Sequence, residues 1–110
     1  MATVRKVLGQ VVPAAPNTDI DLYTVPGATD TVVSTIVVAN QAGAAATFII
    51  KVRVAGAASV AKQQIASAVS IAANSTISFT LGITLAATDV ITVQATAVTV
   101  SFNAFGQENT

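Results

Sequence analysis

The sequence predicts an all-β fold, an antiparallel β-sandwich of jelly-roll-like or immunoglobulin-like type, and three observations carry that prediction. Apolar and hydroxyl side chains alternate with a period of two over most of the chain, as in "STISFTLG" and "AVTVSFNAF", because successive side chains leave a strand on opposite faces. The apolar positions are filled largely by Val and Ile, whose branched side chains suit a pleated surface. Turn signals recur at short intervals, in "VPGATD", "NQAGAA", "AGAA", "AANS" and "LAATD". Short strands punctuated in this way build two packed sheets.

The elements follow in order. A first strand is expected at 4–12, within an N-terminal strand or arm of residues 1–12 that either joins its own sheet or adds a strand to a neighbour. Residues 13–19 contain Pro13 and Pro16 and read as an extended linker. Residues 20–110 form the single sandwich domain, and 110 residues suffice for one core. Its strands are expected at 20–25, 31–39, 47–54, 62–71, 75–81, 89–96 and 98–105.

Within the third strand, "TVVSTIVVAN", Val33, Val37 and Ala39 fall on one face and Val32, Ile36 and Val38 on the other. Both faces are apolar, as in a central strand or one covered by a neighbouring subunit. In "TFIIKVRV" Lys51 and Arg53 mark a solvated face, leaving Phe48, Ile50, Val52 and Val54 for the core. Residues 57–74 contain helix-favouring Ala, Lys and Gln, but Val60, Gln64 and Ser67 make no apolar stripe, so strand pieces are expected there. Ile77, Phe79 and Leu81 point inward next, and Val98, Val100, Phe102 and Ala104 do so at the end. Phe105 is out of phase with Phe102 and reads as a cap on the sandwich end or an exposed anchor for a partner. Tyr23 is expected at the edge with its hydroxyl wet.

Composition narrows the function. Hydrophobic residues make up 53% of the chain and charged residues 9%, five basic against five acidic. A surface of Ala, Thr, Ser, Asn and Gln suits a chain whose faces meet protein neighbours. Without a Lys/Arg cluster, the electrostatic component of nucleic-acid binding is missing. The start lacks the uninterrupted apolar run of a signal peptide, and no charge-poor stretch of about 18 apolar residues indicates a membrane span. Neither cysteine nor histidine occurs, which removes thiolate metal sites and the commonest acid–base catalyst.

The remaining chemistry is thin. Asp19 and Asp21 read as solvated acids that discourage edge pairing, and Asp30 and Asp89 as acceptors for turn amides. Glu108 stands apart from them. Ser59 and Lys62 share an acyl-transfer spacing without the other elements of such a site. Asn74 and Thr76 match a glycosylation triplet, for which a turn is the simpler reading. The expectation is a protein without enzymatic activity, cofactor or metal, contacting protein partners through Arg5, Lys6, Val7, Leu8, Tyr23, Val33, Val37 and Phe105.

The opening "KVLGQVVPAAPNTDIDLYTVPGATDTVVSTIVVANQAGAAATFIIKVRVAG" and the closing "LGITLAATDVITVQATAVTVSFNAFGQE" resemble small virion structural proteins of tailed bacteriophages, especially cyanophages. The resemblance implies a component of a virus particle, with the major capsid protein or other virion proteins as partners. Capsid decoration at the shell surface is the expected role, with a homo-oligomer, preferably a trimer. A tail, neck, baseplate or fibre component, or a module binding a host glycan or receptor, is the alternative.

Overall fold

The computed structural model describes residues 2–110. Among them are nine strands, β1 (Thr3–Val11), β2 (Ile20–Thr24), β3 (Asp30–Asn40), β4 (Ala46–Arg53), β5 (Gln64–Ile71), β6 (Thr76–Phe79), β7 (Ile83–Leu85), β8 (Val90–Ala95) and β9 (Val100–Asn109), and no α-helix. All pairings are antiparallel. A first sheet runs β1-β9-β3-β6, with β7 also paired to β3, and a second runs β2-β8-β4-β5. The two pack face to face as a β-sandwich.

Alternation places the core between the sheets. Val33, Ile36, Val38, Val100 and Phe102 point inward from the first sheet, and Leu22, Phe48, Ile50, Ile71, Ile91 and Val93 from the second. Phe48 lies at the centre, edge-on to Phe79 at 5.8 Å and to Phe102 at 6.0 Å, the geometry that aromatic quadrupoles favour. The segment weighed as a helix holds one 3₁₀ turn, Ala61–Gln63, followed by β5. The first strand lies in its own sheet, paired with β9 along its length.

Several expectations are corrected. β3 does not alternate straight through: a bulge between Val33 and Thr35 inserts Ser34 and flips the phase. Val33 therefore shares the core face with Ile36 and Val38, while Val37 and Ala39 point outward with Val32. The fourth strand ends at Arg53, leaving Val54 in a 3₁₀ turn at 68% exposed. Leu81 is exposed in the break between β6 and β7, a break the pattern of hydroxyl residues had concealed. Val98 is exposed in the turn before β9, which starts later than expected and runs on to Asn109.

Lys51 and Arg53 do lie opposite Ile50, but they are not solvated. Residues 54–63 fold over them, and Lys51 is only 8% exposed. Its ammonium group meets both oxygens of Asp19 at 3.2 Å and Ser59 Oγ at 2.6 Å. Arg53 reaches Asp21 at 3.2 Å and donates to Thr92 Oγ1 at 3.0 Å. Asp19 and Asp21 are thus counterions to two cations on β4 rather than free surface acids. Thr92, between them on β8, is buried, so β8 is covered on both sides by its own chain.

Candidate protein-contact surface

The outer face of the first sheet is different. Register aligns its outward side chains in rows: Thr3, Asn109 and Asp30; then Arg5, Gln107, Val32 and Thr84; then Val7, Phe105 and Thr35; then Gln10, Asn103, Val37 and Ser78. Most are uncharged, and among the described residues no loop of the sandwich covers them as residues 54–63 cover Lys51 and Arg53 on the second sheet. The middle strands leave Val32, Val37, Asn103 and Phe105 half-buried by their neighbours alone.

Phe105 sits at the floor of a shallow hollow of about 550 Å³, lined by Arg5, Lys6, Val7, Val32, Ser34, Gly106 and Gln107. Bulges shape it. β1 carries an extra residue between Val7 and Gly9, and β3 one between Val33 and Thr35, so the strands on both sides of β9 kink at the level of Phe105. Such bulges bend a sheet and increase its local twist. Ser34, the extra residue of β3, donates a hydrogen bond to the Phe105 carbonyl at 3.1 Å. Gly9 and Gly106 permit the close approach: a Cβ at Gly9 would lie 2.1 Å from the Leu22 carbonyl oxygen, and one at Gly106 2.0 Å from that of Val32.

Behind the hollow lies a polar clasp. The Tyr23 hydroxyl meets Glu108 Oε2 at 2.5 Å and Thr31 Oγ1 at 2.8 Å, and Lys6 Nζ holds Glu108 Oε1 at 3.1 Å. Burial first, then the hydrogen bond with Glu108, pushes the Tyr23 phenol up to about 12. The hydrogen bond from Tyr23, helped by Lys6 and opposed by burial, holds the Glu108 carboxyl below its ordinary value. The carboxylate therefore stays ionised and tied down at neutral pH.

Of the residues expected at a partner contact, Arg5, Lys6, Val7 and Phe105 come together at the hollow, and Val37 lies farther along the same face. Phe105 is on the sheet face and not at the sandwich end. Three others belong elsewhere. Leu8 is the extra residue of the β1 bulge and packs against the core. Val33 is 1% exposed in the core, and Tyr23 is buried with its hydroxyl in the clasp rather than wet. Asp30, Val32, Asn103 and Gln107 join Arg5, Val7, Val37 and Phe105 on the outer face of the first sheet, and of these four Gln107 becomes visible only when the last strand is continued past Gly106.

The other polar clusters are structural. Asp89 accepts hydrogen bonds from the Ala55 and Ala86 amides at 2.9 and 3.0 Å, the turn role read from its position. Asn74 occupies a turn with φ of 52°. Ser59 is engaged by Lys51 and not by Lys62. Among the described residues no three His, Cys, Asp or Glu side chains gather as metal ligands, and no helix is long and apolar enough to cross a membrane. Comparison with protein-family models, with curated proteins and with solved structures gave no match.

Proposed function

We propose that the protein is a non-enzymatic structural component of a bacteriophage particle, a capsid decoration protein that stabilises the shell through protein contacts. The observation that carries this reading is the uncovered outer face of the first sheet. Its half-buried Val32, Val37 and Phe105 and its amide and hydroxyl side chains make a surface suited to dry contact with protein. Lys51 and Arg53 lie on the second sheet and are neutralised there by Asp19 and Asp21. The resemblance to small virion proteins of tailed phages supplies the setting, with the major capsid protein and further copies of the chain as partners.

Cryo-electron microscopy of particles carrying the chain tests the proposal. Copies repeated over the shell lattice are the expected result. Copies confined to tail, neck or baseplate would overturn the decoration role, and absence from purified particles would overturn the virion reading altogether. The Phe105 hollow favours one alternative, a host-glycan module, since a half-buried ring beside amide and guanidinium donors can stack on and hydrogen-bond a sugar. Saturable glycan binding lost in Phe105→Ala would select it.

A further inference from the structure

We propose that the outer face of the first sheet binds a second copy of this chain about a two-fold axis, with Arg5 of each copy meeting Asp30 of the other. This rests on the reading of that face as a protein-contact surface and names its partner. Among the described residues, Arg5 and Asp30 are the charged side chains that the register places on this face, and neither has an ion-pair partner within its own chain. Both are exposed.

Their placement is self-complementary. Arg5 is paired with Gln107 on one side of β9, and Asp30 with Asn109 on the other. They thus lie two strand spacings apart, roughly 10 Å, and one row apart, roughly 7 Å, which keeps them from meeting within one molecule. A two-fold axis lying in the contact plane and running along β9 exchanges the β1 and β3 sides of the face, so each Arg5 lies over the partner's β3 one row, roughly 7 Å, from the partner's Asp30, a gap that the long arginine side chain spans. An isologous interface requires such self-complementarity, whereas a ring of three requires two different patches. The face therefore fits a dimer better than the trimer expected from the sequence.

The available area agrees. Four strand spacings and the length of β9 give a face of roughly 19 by 34 Å, about 650 Å² in projection, close to the roughly 800 Å² that each partner contributes to a standard interface. Val32, Val37 and Phe105 supply its apolar part, and Arg5 and Asp30 lie toward its rim, where charge pairs govern partner choice more than raw affinity.

Sedimentation equilibrium of the isolated protein tests this independently of any particle. The expected species is a dimer of the 11.0 kDa chain. Arg5→Asp places only acids at the two positions and Asp30→Arg only bases, so each variant alone should dimerise about tenfold more weakly. An equimolar mixture of the two should restore association as a heterodimer, and so should the double swap within one chain. Because both side chains are exposed and outside the core, unchanged circular dichroism and Tm are expected in every variant. A monomer at high micromolar concentration, a trimer, or a failure of the mixture to associate better than its components would overturn the proposal. The virion reading would stand or fall separately, on whether particles contain the chain.

Discussion

Tyr23 is joined to Glu108 by a part-buried hydrogen bond of 2.5 Å, so one contact ties the edge strand of the second sheet to β9 of the first. With Thr31 on β3 and Lys6 on β1 also engaged, four strands meet at this clasp, directly behind the proposed contact face. Its titration has two limbs.

On the alkaline side, the folded protein keeps the Tyr23 proton to about pH 12, whereas the unfolded chain gives it up near pH 10. The folded state binds more protons in that window, so stability is whole below about pH 10 and falls as pH rises toward 12, by up to about 3 kcal/mol. Tyr23 is the chain's one tyrosine, so phenolate absorbance in the near ultraviolet reports it alone. Titration in step with unfolding is expected, and Tyr23→Phe should remove this component of the alkaline loss.

On the acid side the sign reverses. Glu108 has its folded pKa depressed, so its stabilisation is present above the unfolded value of roughly 4.3 and is lost as pH falls through the folded one. Glu108→Gln should flatten that part of the acid-unfolding curve and lower Tm at neutral pH. Equal acid sensitivity in the variant and the parent would show that the clasp contributes nothing.

A carboxylate paired with a buried cation and an unpaired surface carboxylate differ in what their loss costs. Asp19→Asn leaves the buried Lys51 ammonium without its carboxylate, and an unpaired buried charge is costly. A loss of about 1 to 3 kcal/mol is expected. Asp30→Asn, at an exposed position, should stay within about 0.5 kcal/mol. Denaturant unfolding of the two variants side by side checks the ranking.

Gly9 and Gly106 make a similar contrast with Gly27. Alanine at either of the first two drives Cβ into a carbonyl oxygen, while nothing lies within 4 Å of a Cβ at Gly27. Backbone must move in the first cases, at a cost of about 1 to 3 kcal/mol or more. Gly27→Ala is expected to be close to neutral, and thermal unfolding of the three variants measures the difference.

How far these features were legible depends on how local their causes are. Phe48, Phe102 and the inward Ile and Val positions are readable because alternation is a property of neighbouring residues. Lys51 is not: alternation puts it opposite Ile50, but its counterion is 32 residues away and the loop that buries it folds back from beyond β4. The bulge at Ser34 is equally hidden, since Val33 and Val37 look in phase unless the extra residue is known. Gly106 broke the apolar pattern of the last strand and hid Gln107, Glu108 and Asn109. The contact face was legible in part, through Arg5, Val7 and Phe105, while its second charge, Asp30, read only as a turn residue.

β1 offers the last test. It is an edge strand, yet it pairs with β9 from Thr3 to Val11, lays Leu8 and Val11 against the core and brings Lys6 to Glu108. Removing residues 2–12 should therefore do more than detach an arm. It uncovers one edge of β9, ten residues long, with Glu108 deprived of its cation. An open edge of that length with so little charge is a template for pairing with other chains, so the truncated protein is expected to aggregate or to pair edge to edge. A synthetic peptide of residues 2–12 added in trans should reoccupy the vacant position by strand addition, suppressing light scattering and raising Tm in a saturable manner. A truncated chain that stays soluble and sheet-rich at the parent's Tm would show β1 to be a dispensable arm.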